Sequence, residues 1–314
     1  MHLKIVSAFA AVVALGGSGS AQLSPCGSLP ANPDDPGAGL TFVADPGVRV
    51  DHAVLPKPFV DDEGRVHLFY QRETPPILDM YAVSADGLTF PAGREQQSSD
   101  LRYHPFRVRM PNGVWRMFSW DPRQLAITSR SSGDGASFGD DGGVRYPLHE
   151  SDRGWMGIHE EYVDGQGRVV MLYLGDRYGL NNLRRAVSVD QGWTFAFDRG
   201  DVLGDAAIAR DHGPGHAFVD QKSIALDGAA RRLFVMKQGC AIYSFLTSDG
   251  DQYVQEPGWR VSINSWTDLS LRSLHDPVVV RLPDGRFRMY LAASLNAPAG
   301  SPLHQVVVSA TPPP

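Results

Sequence analysis

The stretch that decides the fold is Phe59–Tyr70, which reads Phe-Val-Asp-Asp-Glu-Gly-Arg-Val-His-Leu-Phe-Tyr. A second copy, Tyr162–Tyr173, reads Tyr-Val-Asp-Gly-Gln-Gly-Arg-Val-Val-Met-Leu-Tyr. Two alternating apolar runs around a Gly-containing turn are typical of a β-hairpin. Three further copies turn at Gly113, Gly228 and Gly285. Five hairpins at a spacing of about 50 to 60 residues predict a five-bladed β-propeller, an all-β fold.

A second repeat lies between the hairpins and contains a Ser, an Asp, a Gly and an aromatic residue in that order. Its copies are Ser84–Phe90, Ser132–Phe138, Ser188–Phe195 and, in degenerate form, Ser248–Tyr253. They resemble the Asp-box of sialidases and related propellers, a turn between the third and fourth strands of a blade. We expect a structural role, because the Asp can accept hydrogen bonds from turn amides and Gly permits a positive φ.

The fifth copy of this repeat is divided between the two ends of the chain. Val306–Ala310 matches the strand before Ser84, and Gly39–Phe42 matches the end of the first copy. The sequence therefore predicts that an N-terminal strand completes the C-terminal blade and closes the ring. Closure removes two open sheet edges. We assign residues 39–314 to one propeller domain of five four-stranded blades.

The N-terminal residues have the pattern of an export signal. A basic start is followed by the apolar run Ile5–Leu15 and then by small residues up to Ala21. The run is too short for a bilayer, which takes about 20 residues, so residues 1–21 are predicted to be a cleaved signal peptide. Residues 22–38 are predicted to be a linker or tail. We expect a secreted or periplasmic protein with no membrane span.

The composition excludes other classes of protein. With 42% hydrophobic residues and two cysteines in 314 residues, the chain is neither disordered nor a disulfide scaffold. Its net charge of −6 provides no cationic field for a nucleic acid. Cys26 and Cys240 either pair in an oxidising compartment or remain two free thiols.

In a propeller the first strand of each blade lines the central channel, so we align the five first strands on their turn glycines. Nine positions before the turn glycine stand Leu55, His104, Ile158 and Asp276, with Asp220 in blade 4, where the count to Gly228 is one residue shorter in both rows. Seven positions before it stand Lys57, Phe106, Glu160, Lys222 and Val278. Side chains two residues apart on a strand share a face. The ionisable members of both rows are therefore predicted to meet in the channel.

These ionisable residues either form a functional site in the channel or have a structural role, and both possibilities remain open. Burying them without partners costs several kcal/mol each, which favours a site. Alternatively, Lys57 and Lys222 form ion pairs with Asp220 or Glu160, and Asp276 caps a turn before Pro277. Of the adjacent carboxylates Glu160 and Glu161, we expect Glu161 to be the exposed one.

The segment Leu274–Val280 with Asp284–Tyr290 resembles the blade-opening motif of five-bladed glycosidases, the arabinanase, xylosidase and fructosidase superfamily. The resemblance implies an Asp base or nucleophile in the first blade, an Asp that tunes a pKa in the second and a Glu acid in the third. Glu160 fits the acid. The aligned blade-1 and blade-2 positions are Leu55 and His104 instead of Asp, and three possibilities follow. Asp51 enters the channel as the base from a shifted start, a carboxylate of another blade, Asp276 or Asp220, supplies the base, or the classical mechanism is lost.

The expected function is therefore that of a secreted glycoside hydrolase with a carboxylate mechanism, active as a monomer on an oligo- or polysaccharide and without a required cofactor. His104, Lys57, Lys222, Tyr103 and Trp155 are the candidate substrate-binding residues. Two alternatives stay open. One is a hydrolase or lyase with a divalent metal held by His159, His275 and His216. The other is a carbohydrate-binding propeller without catalysis.

Overall fold

The computed structural model of the protein is a ring of five antiparallel sheets. It describes residues 32, 41–91, 96–97, 106–175, 183–200, 202–203, 218–237, 239–298 and 301–313. The first strands of neighbouring blades contact one another, and the Lys57 ammonium of blade 1 lies over the Phe106 ring before the first strand of blade 2. The predicted all-β, five-bladed propeller is confirmed. No membrane-spanning helix is found in the described part of the chain.

The strands follow chain order within each blade. Blade 1 contains Ala53–Val60, Val66–Arg72, Asp79–Ser84 and Gln96–Gln97. Blade 2 contains Arg107–Arg109, Trp115–Asp121, Ala126–Ser132, Gly139–Asp140 and Tyr146–Pro147. Blade 3 contains Met156–Val163, Val169–Gly175, Leu183–Ser188 and Ala196–Arg199, after a 3₁₀ turn at Glu150–Asp152. Blade 4 contains Phe218–Ala225, Arg231–Lys237, Ala241–Thr247, Val254–Gln255 and Val261–Ser262. Blade 5 contains Leu271–Arg281, Phe287–Leu295 and Gln305–Thr311 with the N-terminal strands Val43–Ala44 and Val50–Asp51.

The N-terminal strands complete blade 5, as predicted. Val43–Ala44 pairs with Thr311 and Ala310, and Val50–Asp51 pairs with Val307 and Val306. Between them, the Asp45 carboxylate accepts hydrogen bonds from the hydroxyls of Ser309 (2.6 Å) and Thr311 (3.0 Å). Two residues of each N-terminal strand pair with the C-terminal strand, and the amides of Asp45 and Arg49 between them donate to the carbonyls of Ser309 and Val307.

Each blade is a meander, so its first and third strands run in the same direction and begin at the same face of the ring. We call this the upper face. Asp carboxylates hold the turns that follow the third strands. In blade 1, Asp86 Oδ1 accepts from the amides of Leu88 and Thr89 at 2.8 Å, and Ser84 Oγ accepts from the Gly87 amide at 2.9 Å. The same contacts recur around Asp134, Asp190 and Asp249, the last with the hydroxyl of Thr247.

These turns also dock on the preceding blade. Arg288 of blade 5 donates to the Asp86 carbonyl at 2.5 Å, and the Tyr290 hydroxyl donates to the Gly87 carbonyl at 2.6 Å. Arg185 of blade 3 donates in the same way to the Gly250 carbonyl of blade 4 at 2.6 Å. The turns therefore contribute to the contacts between blades.

The predicted signal peptide and most of the predicted linker lie outside the described residues. Within the linker, Asn32 makes two hydrogen bonds with the backbone of Trp259, of 2.7 and 3.1 Å. Cys240 is buried and disulfide-bonded. Its one possible partner within the sequence, Cys26, lies outside the described residues.

Candidate active site

A local distortion of the first strands positions the candidate site. Register shifts interrupt the pairing of the first and second strands between Val54 and Lys57 in blade 1, and at equivalent places in blades 4 and 5. Leu55, Asp220 and Asp276 occupy these bulges with φ of 53°, 55° and 50°. Asp adopts this left-handed conformation more readily than Leu. The aligned sequence positions therefore correspond to one structural position in these three blades.

Asp220 and Asp276 meet at the neighbouring bulges of blades 4 and 5. The amide of Asp276 donates to Asp220 Oδ2 at 3.4 Å, and the Leu55 amide of blade 1 donates to the Asp276 carboxylate. Each carboxyl group thus binds the bulge amide of the next blade. Both residues are half-buried and lie on first strands, which surround the channel.

The two carboxyl groups hold a proton more strongly than ordinary aspartates. Burial raises the pKa of Asp220 to about 6. Burial, and then the negative charge of Asp220, raise the pKa of Asp276 well above its usual range, although the Lys57 ammonium partly opposes this. Because the groups interact, the protons leave the pair in two steps. At a pH between those steps the pair holds one proton, which is the state that acid–base catalysis requires.

Two lysines share the channel with this pair. Their ammonium nitrogens lie 4.2 Å (Lys57) and 4.8 Å (Lys222) from the centroid of the Phe106 ring. Burial lowers the pKa of Lys57 to about 8, and Asp79 is the strongest charge that opposes the shift. The structure thus brings together three residues of the second aligned row, Lys57, Phe106 and Lys222.

Glu160, the expected acid, is bound to blade 4. Its side chain is buried, and its two oxygens accept from the Ser223 amide at 2.8 and 3.1 Å. The Ser223 hydroxyl lies 3.2 Å from Glu160 and accepts a hydrogen bond of 2.7 Å from Arg231. Glu160 therefore fixes the first strand of blade 4 beside Lys222.

The expectation that Glu161 is exposed is wrong. The Glu161 side chain is 2% exposed and accepts a 2.8 Å hydrogen bond from His159 Nδ1. Alternation does place Glu160 and Glu161 on opposite faces of the strand. In a propeller, however, both faces of an inner strand are covered by neighbouring blades, so neither face is open to solvent.

Asp51 does not enter the channel. It belongs to the N-terminal strand Val50–Asp51 at the seam of blade 5. Its side chain is 62% exposed and lies 2.6 Å from His304 Nε2. The shifted-start hypothesis for a base at Asp51 is therefore corrected: the chain reaches blade 1 only at Ala53.

The other candidates fall into two groups. His104, Tyr103 and His216 lie outside the described residues. His275 Nε2 lies 2.7 Å from the Ser273 hydroxyl, and Trp155 packs against the apolar cluster between blades 3 and 4. In the described part of the chain, no group with metal-ligand spacing contains His159 or His275; the group that has this spacing is Asp51, His52 and His304.

Two residues near the site were missed by the sequence reasoning. Asp79, whose charge acts on Lys57, begins the third strand of blade 1 and therefore lies at the upper face. Its place at the start of this strand is the only sequence feature that indicates a role near the site. Ser223 follows Lys222, and its amide donates to Glu160, which lies 63 residues away in the sequence. No local sequence pattern predicts this contact.

The fold and its channel define the class of protein, a five-bladed propeller with ionisable side chains on its inner strands. Similar solved structures include an α-L-arabinofuranosidase from Podospora anserina, crystallised with cellotriose (TM-score 0.58, 13% identity, covering 87% of this chain and 97% of that one). An endo-arabinase from Bacteroides thetaiotaomicron has a TM-score of 0.52 at 15% identity, covering 83% of this chain and 96% of that one. A GH62 hydrolase in complex with xylotriose has a TM-score of 0.56 at 12% identity, covering 87% and 98% of the respective chains. No protein-family model matches the sequence, and no curated protein is significantly similar to it.

Proposed function

We propose that the protein is a secreted glycoside hydrolase that cleaves an oligo- or polysaccharide with the carboxyl pair Asp276 and Asp220. The observation that carries this proposal is the pair itself, two channel carboxyls on neighbouring blades with raised and interacting pKa values. Glycoside hydrolysis needs one carboxylic acid that keeps its proton and one ionised carboxylate. The arabinofuranosidase and endo-arabinase with this fold support the choice of reaction.

The roles within the pair follow from the direction of the pKa shifts. Asp276 keeps its proton to higher pH and is proposed to protonate the leaving oxygen. Asp220 ionises first, at about pH 6, and is proposed to activate water or to attack the sugar. Lys57 and Lys222 are proposed to donate hydrogen bonds to sugar hydroxyls. Glu160, with both oxygens engaged by Ser223, is proposed to position blade 4 instead of acting as the acid.

The remaining expectations belong to the same proposal. The protein is proposed to act as a monomer that needs no cofactor. Its Asp-centred turns are proposed to be Asp-boxes of the sialidase type, with a structural role.

The experiment that tests the function is hydrolysis of aryl glycosides and of plant or algal oligosaccharides by the purified protein, with and without a chelator. We expect turnover that resists the chelator. Activity lost only to the chelator would favour the histidine–metal hydrolase. Binding of an oligosaccharide without turnover would favour a carbohydrate-binding propeller and contradict the enzyme.

Glu160→Gln is expected to keep activity within about 10-fold of wild type and to lower the free energy of unfolding by about 1 to 3 kcal/mol. The Gln carbonyl still accepts from Ser223, but its NH₂ group now faces the donors that the second carboxylate oxygen bound. Steady-state kinetics and urea unfolding measure the two effects. A folded variant of unchanged stability that has lost all turnover would instead assign the acid to Glu160.

The pH profile of kcat/KM is expected to be bell-shaped, rising through about pH 6 as Asp220 ionises and falling as Asp276 loses its proton. The positive charge of Lys57 lowers the pKa of Asp276. Lys57→Gln should therefore move the falling limb to higher pH, by about one unit. Lys222→Gln is the matched control, because Lys222 lies over the same ring but acts on Lys57. Equal displacement of the limb in both variants would contradict the assignment of Asp276.

A further inference from the structure

We propose that Asp51, His52 and His304 form a binding site for Zn²⁺ or a similar first-row transition metal at the seam of the ring. One ligand atom from each of the three residues lies within 4.8 Å of the other two. Asp51 Oδ1 lies 2.6 Å from His304 Nε2, and Asp51 Oδ2 lies 4.0 Å from His52 Nε2. The two imidazole rings are stacked, with centroids 4.4 Å apart. Thus both Nε2 atoms face the same carboxylate.

A second carboxylate supports the metal-binding tautomer of His52. Glu73 Oε2 lies 3.4 Å from His52 Nδ1 and also accepts from the Gln305 amide at 3.0 Å. If Nδ1 carries the proton that Glu73 accepts, Nε2 is left with a free lone pair directed toward Asp51. Histidines that bind metals commonly donate their other N–H to a carboxylate in this way. Glu73 is partly buried, at 15% exposure, whereas the His52 side chain is 47% exposed, so an ion can reach the site from solvent.

The backbone holds His52 in an uncommon conformation. Its φ is 50°, in the left-handed region, and its amide donates to Asp51 Oδ1 at 3.0 Å. A non-glycine residue keeps such a conformation only when its surroundings impose it. Here the turn between the seam strand Val50–Asp51 and the first strand of blade 1 places the imidazole beside that of His304.

The donor set selects the class of ion. Two imidazoles and one carboxylate suit Zn²⁺, Cu²⁺ or Ni²⁺, whereas Ca²⁺ and Mg²⁺ prefer oxygen ligands. Tetrahedral ligands at about 2.0 to 2.1 Å from zinc lie about 3.4 Å from one another. Binding therefore needs the Asp51–His304 contact to open and the His52–Asp51 contact to close. The stacked imidazole rings must also rotate so that both Nε2 lone pairs point at one ion. The ion takes the place of the hydrogen bond between Asp51 and His304.

The surroundings have room for the ion and its water. A cavity of about 460 Å³ is lined by Asp51 and His304, two of the three proposed ligands. The nearest cation on the lining, Arg49, donates to the carbonyl oxygens of Leu88, Pro46 and Gly47. Its charge is therefore engaged with backbone carbonyls.

The position of the site indicates what the metal does. Asp51 and His52 belong to the N-terminal segment that completes blade 5. His304 lies 253 residues after Asp51, directly before the C-terminal strand Gln305–Thr311 with which that segment pairs. The paired part of the seam is only two short strands. A metal held by both sides therefore links the ends of the propeller and stabilises the closed ring.

The test is titration of untagged, chelator-treated protein with ZnCl₂ by calorimetry, together with thermal unfolding. We expect Zn²⁺ to bind at this site and raise Tm by several degrees at saturation, and CaCl₂ and MgCl₂ to have no such effect. His52→Ala and His304→Ala should each weaken this binding by at least about 100-fold and abolish the rise in Tm. Glu73→Gln should weaken it by about 10- to 100-fold, because it acts through His52.

His275→Ala is the matched control, since His275 is one of the three histidines of the alternative metal site proposed from the sequence; it should leave zinc binding unchanged. Asp51→Asn keeps a side chain that can hydrogen-bond His304 and serves if a histidine variant does not fold. Zinc binding that survives loss of both His52 and His304, or no zinc-dependent rise in the Tm of the wild type, would overturn the proposal. The readouts are affinity and Tm, so either failure leaves the proposed hydrolase untouched.

Discussion

Asp276→Asn is expected to lower kcat/KM by about 10²- to 10⁴-fold and at the same time to stabilise the protein at neutral pH. Activity falls because an amide cannot deliver the proton that Asp276 is proposed to donate. The fold should be kept. Asn accepts the Leu55 amide as the carboxyl group does, and it tolerates the left-handed φ of 50° at this bulge.

The stability gain follows from the raised pKa of Asp276. The folded protein holds this proton more tightly than the unfolded chain, whose Asp pKa is about 3.9. Protonation of Asp276 therefore favours the folded state fully below about pH 4, and this contribution is lost as pH rises through the folded-state pKa. Asn removes the charge at every pH, so the free energy of unfolding should rise at pH 8 and change little at pH 4.

Asp284→Asn is the control on the same hairpin. Asp284 lies in the turn of blade 5, where the side chain and amide of Arg286 lower its pKa, so its replacement should weaken folding at neutral pH and leave turnover intact. Urea unfolding at several pH values and steady-state kinetics measure both variants. Full activity in Asp276→Asn would contradict the assignment of Asp276 as the acid. A loss of stability at pH 8 would contradict the raised pKa of Asp276 in the folded protein.

The repeat predicted much of this fold because every blade is built from local signals. The hairpins around Gly64 and Gly167 are encoded by alternating side chains and a turn, and their repetition gives the number of blades. Alignment on the turn glycines also places Leu55, Asp220 and Asp276 correctly at equivalent bulges, because the bulge lies nine residues before the turn glycine in blades 1 and 5 and eight residues before it in blade 4. Local repetition was thus enough to gather Lys57, Lys222 and the two aspartates around one channel.

The errors arose where the chain departs from local repetition. Asp51 was predicted to enter the channel by extending the first strand of blade 1 backward along the chain. At that point, however, the chain still runs along the edge of blade 5. The exposure of Glu161 was inferred from a rule for sheets with one solvent face, which inner blade strands lack. The contacts of Glu160 with Ser223 and of Asp51 with His304 join distant segments, so only the assembled ring brings them together.

Gly87→Ala is expected to destabilise the protein by about 2 to 5 kcal/mol by damaging the contact between blades 5 and 1. Gly87 has a φ of +68°, and an added Cβ would lie 2.5 Å from Arg288 Nη1, 2.7 Å from the Tyr290 hydroxyl and 2.8 Å from Val66 Cγ2. Tyr290 is fully buried and donates to the Gly87 carbonyl, so it cannot move aside without losing that bond. The left-handed backbone alone costs a non-glycine residue about 1 to 2 kcal/mol, and overpacking adds about 1 to 3 kcal/mol.

Gly250→Ala separates these two contributions. Gly250 occupies the corresponding turn of blade 4 with a φ of +79°, but nothing lies within 4 Å of an added Cβ. Gly250→Ala should therefore lose only the stability that a left-handed backbone costs a non-glycine residue. The difference between the two variants in the free energy of unfolding, measured in urea, reports how tightly the Gly87 turn of blade 1 packs against blade 5. Since the ring closes through blade 5, a loose contact here would also loosen the seam. Equal destabilisation by the two substitutions would mean that Arg288 and Tyr290 move aside without cost, and would contradict tight packing of the Gly87 turn against blade 5.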